Sequence, residues 1–220
     1  MQICRPDPFT EKRSRIIVVF STNVNSESVT LSSMKNTLTT SALKLWFLKY
    51  ELSLLTFRGA LSTRHVEWPI YGRAIKQHQR ADLRKAFRKV LVEVETRYAR
   101  NALSEKEHLA FISHTCDTLS QTFGSDLYRG RLRFGIGQKL INLHLKYLWV
   151  AGLSAEPPHC PIDGIVRDQA CLEYDWISND SIQDYKTAIA TIRKKADSES
   201  LAVWELRNFR RPSDSGISLI

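Results

Sequence analysis

The chain has 220 residues, 43% of them hydrophobic and 25% charged, and carries a formal net charge of +9. That length and balance suit one globular domain with a core of useful size and exclude disordered or collagen-like chains. The positive charge favours a polyanionic partner, either nucleic acid or an anionic membrane surface, although basic residues also serve simply to solvate helix faces.

The four cysteines, Cys4, Cys116, Cys160 and Cys171, include no Cys-x-x-Cys pair. A chain this long and this poor in cysteine is not a disulfide scaffold, and the expected compartment is the reducing cytoplasm. No apolar run reaches membrane-spanning length, because Leu140 to Gly152 is interrupted by Asn142, His144 and Lys146. The N-terminus lacks a signal-peptide pattern, so no membrane partner is expected.

The expected fold class is mostly α, a multi-helix domain with a helix–hairpin–helix element and an irregular or strand-containing N-terminal extension. In chain order, residues 1–33 form that extension: Ile16 to Phe20 reads as a strand and Ser, Thr and Asn then dominate. Met34 offers an alternative start that would leave the extension outside the fold. A single helical domain is expected over 34–211, with a flexible tail at 212–220. Ala42 to Phe57 reads as a helix, with Leu45, Leu48, Leu52 and Leu55 in step.

The clearest helix runs from Ala81 to Ala99, with Leu83, Phe87, Val90, Leu91, Val94 and Tyr98 on one stripe. Its other face carries Arg80, Arg84, Lys85, Arg88, Lys89 and Arg97. Ser104 to Glu107 has the capping-box pattern that opens the next helix, and Gly124 closes it. Leu140 to Val150 is apolar nearly all round, which predicts the buried central helix. A helix over Ile182–Ala196, with Ser178, Asn179 or Asp180 as its cap, and one over Ser200–Asn208 complete the set.

The residues that invite a chemical reading lie between Arg131 and Val166. Gly135-Ile136-Gly137-Gln138-Lys139 reads as a glycine turn feeding a helix, with backbone N–H groups and the helix dipole aimed at an anion. One element later comes Pro157-Pro158-His159-Cys160-Pro161-Ile162-Asp163. Asp163 suits either a catalytic carboxylate or the N-cap of a following helix. Asn142 and Lys146 share a face with Lys139, so this polar stripe either lines a pocket or pairs with buried groups. Zinc, deaminase, P-loop and serine-hydrolase patterns are missing, and neither a metal nor a cofactor is expected.

These motifs together resemble the helix–hairpin–helix DNA glycosylases, the superfamily of endonuclease III and 8-oxoguanine glycosylase. The likeness spans about residues 131–166. It implies that Lys139 is an amine nucleophile and Asp163 the essential carboxylate, acting on a modified base in double-stranded DNA. Gly135, Gly137 and Gln138 would then bind a phosphate, with Arg84, Lys85 and Arg88 adding non-specific grip. Asn142, Lys146, His159 and Trp149, with Tyr147 and Trp176, are the pocket candidates for an extruded base. The chain departs from the family in three respects: Lys139 and Asp163 are 24 positions apart, Gly164-Ile165 replaces the common D-x-H pattern, and the iron–sulfur cysteine cluster of one branch is missing. Two other readings stand beside it: a non-enzymatic helical module binding nucleic acid or protein, and a structural polar network built from Asn142, Lys146, His159 and Asp163.

Overall fold

The computed structural model describes residues 39–62 and 65–209. The chain divides into two compact units, Met1–Thr40 and Ser41–Ile220, and the helical body belongs to the second. The strand expected at Ile16 to Phe20 and the tail expected at 212–220 lie outside the described residues. Among those described, the protein is all-helical, and an isolated bridge between Tyr71 and Leu127 is the one β-type pairing.

Among the described residues seven α-helices follow one another: α1 (Thr40–Leu61), α2 (Gln77–Arg97), α3 (Glu105–Phe123), α4 (Phe134–Val150), α5 (Gly164–Ala170), α6 (Ile182–Ala196) and α7 (Leu201–Asn208). Among the described residues, no helix is long and apolar enough to cross a membrane. Helix α1 exceeds the expected span at both ends. Its last turns bury Thr56, Phe57, Ala60 and Leu61, so tertiary packing extends it where periodicity alone stops. Helix α2 begins before Ala81, because Gln79 Oε1 accepts a hydrogen bond from Lys76 N (2.9 Å) and closes a polar first turn. Its stripe of Leu83, Phe87, Val90, Leu91 and Val94 is buried as expected.

The cap of α3 follows its sequence signal, whereas that of α6 is Ser181 and not Ser178, Asn179 or Asp180. Ser104 Oγ accepts from Glu107 N (3.3 Å) while Glu107 Oε2 accepts from Ser104 N (2.9 Å), a reciprocal box that opens α3. Ser181 caps α6 through Asp184 N, and Ser200 caps α7 through Val203 N. Between α3 and α4 the chain makes two 3₁₀ turns, Gly124–Asp126 and Tyr128–Gly130.

Helix α4 is the centre of the body, packed against α2 and α3. Ile136, Leu140, Ile141, Leu145 and Leu148 are buried along it. Each large side chain removed from water contributes about 1.5–3 kcal/mol, which is why this apolar segment occupies the interior. The loops at 151–163 and 171–181 fold back over it and supply the polar partners described next.

Candidate functional site

The Gly-x-Gly segment is not an exposed hairpin. Phe134, Gly135, Ile136 and Gly137 form the first turn of α4, and all four are buried. Their N–H groups are already committed within the chain. Phe134 N donates to Asp180 Oδ1 (2.8 Å), Gly135 N to the carbonyl of Asn179 (3.0 Å), and Ile136 N and Gly137 N to that of Arg133 (both 3.0 Å). The carboxylate of Asp180 thus stands where a phosphate was expected, and Arg131 holds it through Nε (2.9 Å). The glycines serve close packing: a Cβ on Gly135 would collide with the backbone of Trp176, and one on Gly137 with Sγ of Cys116. Their expected approach to a DNA phosphate is corrected on this ground.

The structure does bring Lys139 and Asp163 together, with Lys139 Nζ 3.7 Å from Asp163 Oδ2. Gln138, which was expected to touch nucleic acid, accounts for this and is itself fully buried. Its Nε2 donates to Ile162 O (2.7 Å) and its Oε1 accepts from Ile162 N (3.2 Å), clamping the residue next to Asp163 against α4. Asp163 Oδ1 then caps α5 by accepting from Ile165 N (3.0 Å) and Val166 N (3.1 Å), which leaves Oδ2 for the lysine. The cap and the pairing coexist in one carboxylate. Above Lys139 lies Trp176, with Nζ 3.9 Å from the ring centroid. Burial pulls the Lys139 amine below its ordinary pKa, against the opposing pull of Asp163. Only 7% of Lys139 is exposed.

The pocket candidates further along α4 separate into two groups. Asn142 and His159 belong to a buried hydrogen-bond chain that runs in one direction. Tyr98 O–H donates to His108 Nδ1 (2.6 Å), and His108 Nε2 donates to Asn142 Oδ1 (2.9 Å). Asn142 Nδ2 donates to Tyr185 Oη (3.0 Å), and Tyr185 O–H donates to His159 Nδ1 (3.0 Å). These donor assignments follow from the amide, which accepts through oxygen and donates through nitrogen. Burial depresses both histidines to a pKa of about 3, so they are neutral near pH 7. The 3.5 Å approach of His159 Nε2 to Glu105 Oε1 therefore joins a carboxylate to a neutral ring.

Lys146 instead pairs with Glu205 of α7, with Nζ 2.8 Å from Oε1 and 2.7 Å from Oε2, and lies 4.1 Å from the Phe209 ring centroid. Burial raises the Glu205 pKa above the ordinary carboxylate value, and the Lys146 charge lowers it in part. Trp149 is ten positions beyond Lys139, about 15 Å along the helix, and is not part of the Lys139 surroundings. Tyr147 and Trp149 are both half-buried near the C-terminal end of α4. Of the aromatic candidates, only Trp176 meets the lysine.

The basic face of α2 forms on the surface as expected. Gln77, Arg80, Ala81, Arg84, Lys85 and Arg88 line a groove of about 430 Å³. Aromatic rings lie beneath two of its guanidiniums: Arg80 sits 5.0 Å from the Tyr71 ring centroid, and Arg88 5.4 Å from Tyr50 and 5.9 Å from Phe57. Lys85 also reaches Asp82 Oδ1 at 2.9 Å, an exposed pair that screens little of the groove's charge.

Three partners went unidentified in the sequence, His108, Glu205 and Tyr185, and Asp180 was read only as a candidate cap of α6. A signal existed for Glu205, because it is the one carboxylate in α7, next to Trp204 in its apolar first half, and Lys146 demanded a counter-charge. For His108 and Tyr185 the cue was proximity in three dimensions. No family model matches this chain, and no curated protein or solved structure matches it either.

Proposed function

We propose that this chain binds the sugar–phosphate backbone of nucleic acid through the α2 groove, as a helical binding module. The observation that carries this reading is the row Arg80, Arg84, Lys85 and Arg88 along one groove, in a chain of net charge +9. Guanidinium forks match phosphate oxygens in pairs, and the rings beneath Arg80 and Arg88 limit the rotamers to be frozen on binding. Such interactions release counterions and depend steeply on salt. Fluorescence anisotropy with labelled single-stranded and duplex DNA and RNA, across a salt series, tests the reading. Binding should weaken linearly on a log–log plot. The pair Arg84→Gln with Arg88→Gln should reduce the slope by roughly 0.9 for each duplex phosphate that is no longer neutralised. Binding that ignores both substitutions sinks the proposal.

A second reading rests on the 3.7 Å separation of Lys139 and Asp163 and on the depressed pKa of the amine. A neutral lysine amine attacks the aldehyde carbon of an abasic sugar and expels water to give a Schiff base. Asp163 stands ready to carry protons in that step. Borohydride trapping on duplex DNA with one abasic site is the test. An adduct lost in Lys139→Gln supports lyase chemistry of the glycosylase type. No adduct, under conditions where the DNA is bound, leaves the binding module alone.

A further inference from the structure

The C-terminal half of helix α1 is covered on one face by the body of the protein, whereas its first turns are exposed on both sides, Leu45 (41%) and Trp46 (38%) included. Leu52, Ser53, Thr56, Phe57, Ala60 and Leu61 are buried against the body. The opposite stripe is Lys44, Phe47, Leu48, Glu51, Leu54, Leu55 and Arg58, spaced i, i+3, i+4, i+7 and confined to roughly 120° of the helix surface. On that stripe Phe47 is 58% exposed, Leu48 38%, Leu54 38% and Leu55 47%. Isolated exposed apolar residues are ordinary, but four on one helical stripe form a continuous patch of the kind that marks an interface.

The charges on the stripe indicate what covers it. Glu51 and Arg58 bracket Leu54 and Leu55, and neither has an ion-pair partner among the described residues. They are seven positions apart, about 10 Å along the axis, too far to pair within one helix. An antiparallel copy of the same helix solves this. With a two-fold axis between positions 54 and 55, Glu51 of each copy faces Arg58 of the other, and Leu54 faces Leu55. Placing the axis at Glu51 instead would set Glu51 against itself and Lys44 against Arg58, so charge selects the first register. The selected segment is also the half of α1 held by Ser53, Thr56 and Ala60, so it is already ordered before association.

We propose that the protein forms a two-fold symmetric homodimer through the Glu51–Leu54–Leu55–Arg58 face of α1. This surface is separate from the lysine–aspartate pair, and its test is independent of nucleic-acid binding.

Sedimentation velocity on the full chain over a concentration series provides the test, with far-UV circular dichroism as a folding control. The wild type should sediment as a dimer, and Leu55→Asp should be monomeric with an unchanged spectrum. Glu51→Arg and Arg58→Glu should each dissociate alone at least tenfold more readily. Mixed in equal amounts they should re-form a dimer, because both cross-copy pairs are then opposite in sign. The double variant in one chain should likewise recover. A wild type that stays monomeric throughout the series overturns the proposal. So does a dimer that ignores the charge reversals, or one that the mixture fails to restore. Flotation with vesicles containing anionic lipid runs alongside. A monomer that floats with them, and loses this in Leu55→Asp, assigns the patch to a lipid surface instead.

Discussion

Helices α4 and α2 both carry cations at helical spacing, yet they use them in opposite ways. Along α4, Lys139 meets Asp163, Lys146 meets Glu205, and Asn142 lies at the middle of a chain of tyrosines and histidines. Along α2, Arg80, Arg84, Lys85 and Arg88 line an open surface groove, with aromatic rings behind two of them. A polar stripe in a sequence does not distinguish a site from a structural network. What decides is whether the rest of the chain supplies the partners. The α4 cations are largely spoken for within the fold, while those of α2 remain available to an external anion.

The largest test of this contrast is to delete one cation from each helix. Lys146→Met leaves Glu205 buried without its counter-charge, and breaking such a pair costs about 3 kcal/mol or more. Arg84→Met, on the exposed groove, should change stability by less than about 0.5 kcal/mol while weakening nucleic-acid binding. Urea unfolding of the two variants at pH 7.5 measures both. The Lys146→Met deficit also has a direction in pH. Burial already raises Glu205 above its ordinary 4.5, and losing Lys146 raises it further. A group whose folded pKa is raised contributes stability that is intact below the unfolded value and lost as pH rises through the folded one. The deficit should therefore shrink as pH falls toward 4.5 and be greatest at neutral pH. Equal losses in the two variants would erase the distinction between the helices.

Much of the helical framework is legible in the sequence because its signals are local. The Ser104-x-x-Glu107 box and the period of Leu83, Phe87, Val90, Leu91 and Val94 each depend on neighbours within a few positions; the cap of α6 is Ser181, one position beyond the Ser178 to Asp180 run read as its candidates. Helix ends are less legible where packing prolongs them, as in the last turns of α1. The juxtaposition of Lys139 and Asp163 is legible too, but the purpose of the glycines is not. Gly135 and Gly137 read as a turn because glycine is permissive, whereas the backbone of Trp176 and the thiol of Cys116 require the missing side chains. Glycine in a sequence marks a close approach without saying of what. The partner lies 41 residues away for Gly135 and 21 the other way for Gly137, beyond any local pattern.

The smaller effect to measure concerns the interior network itself. His108 and His159 have folded pKa values near 3 against an ordinary 6.5, because burial opposes the charged ring. The unfolded chain thus binds protons that the folded chain refuses. Stability should be fully present above pH 6.5 and fall as pH drops toward 3, by up to about 1.4 kcal/mol per pH unit for each ring. Glu205 runs the other way, since its raised pKa favours the folded state on acidification. Carboxylates join the titration below about pH 5, so the interval from 6.5 to 5 isolates the histidines best. His159→Asn keeps a polar group opposite the Tyr185 hydroxyl while removing one ring. Urea unfolding across that interval should show the variant losing stability about half as steeply as the parent. If the slopes are the same, His159 is already protonated in the fold, its 3.5 Å approach to Glu105 is a true ion pair, and the α4 interior is less closed to water than its hydrogen bonds imply.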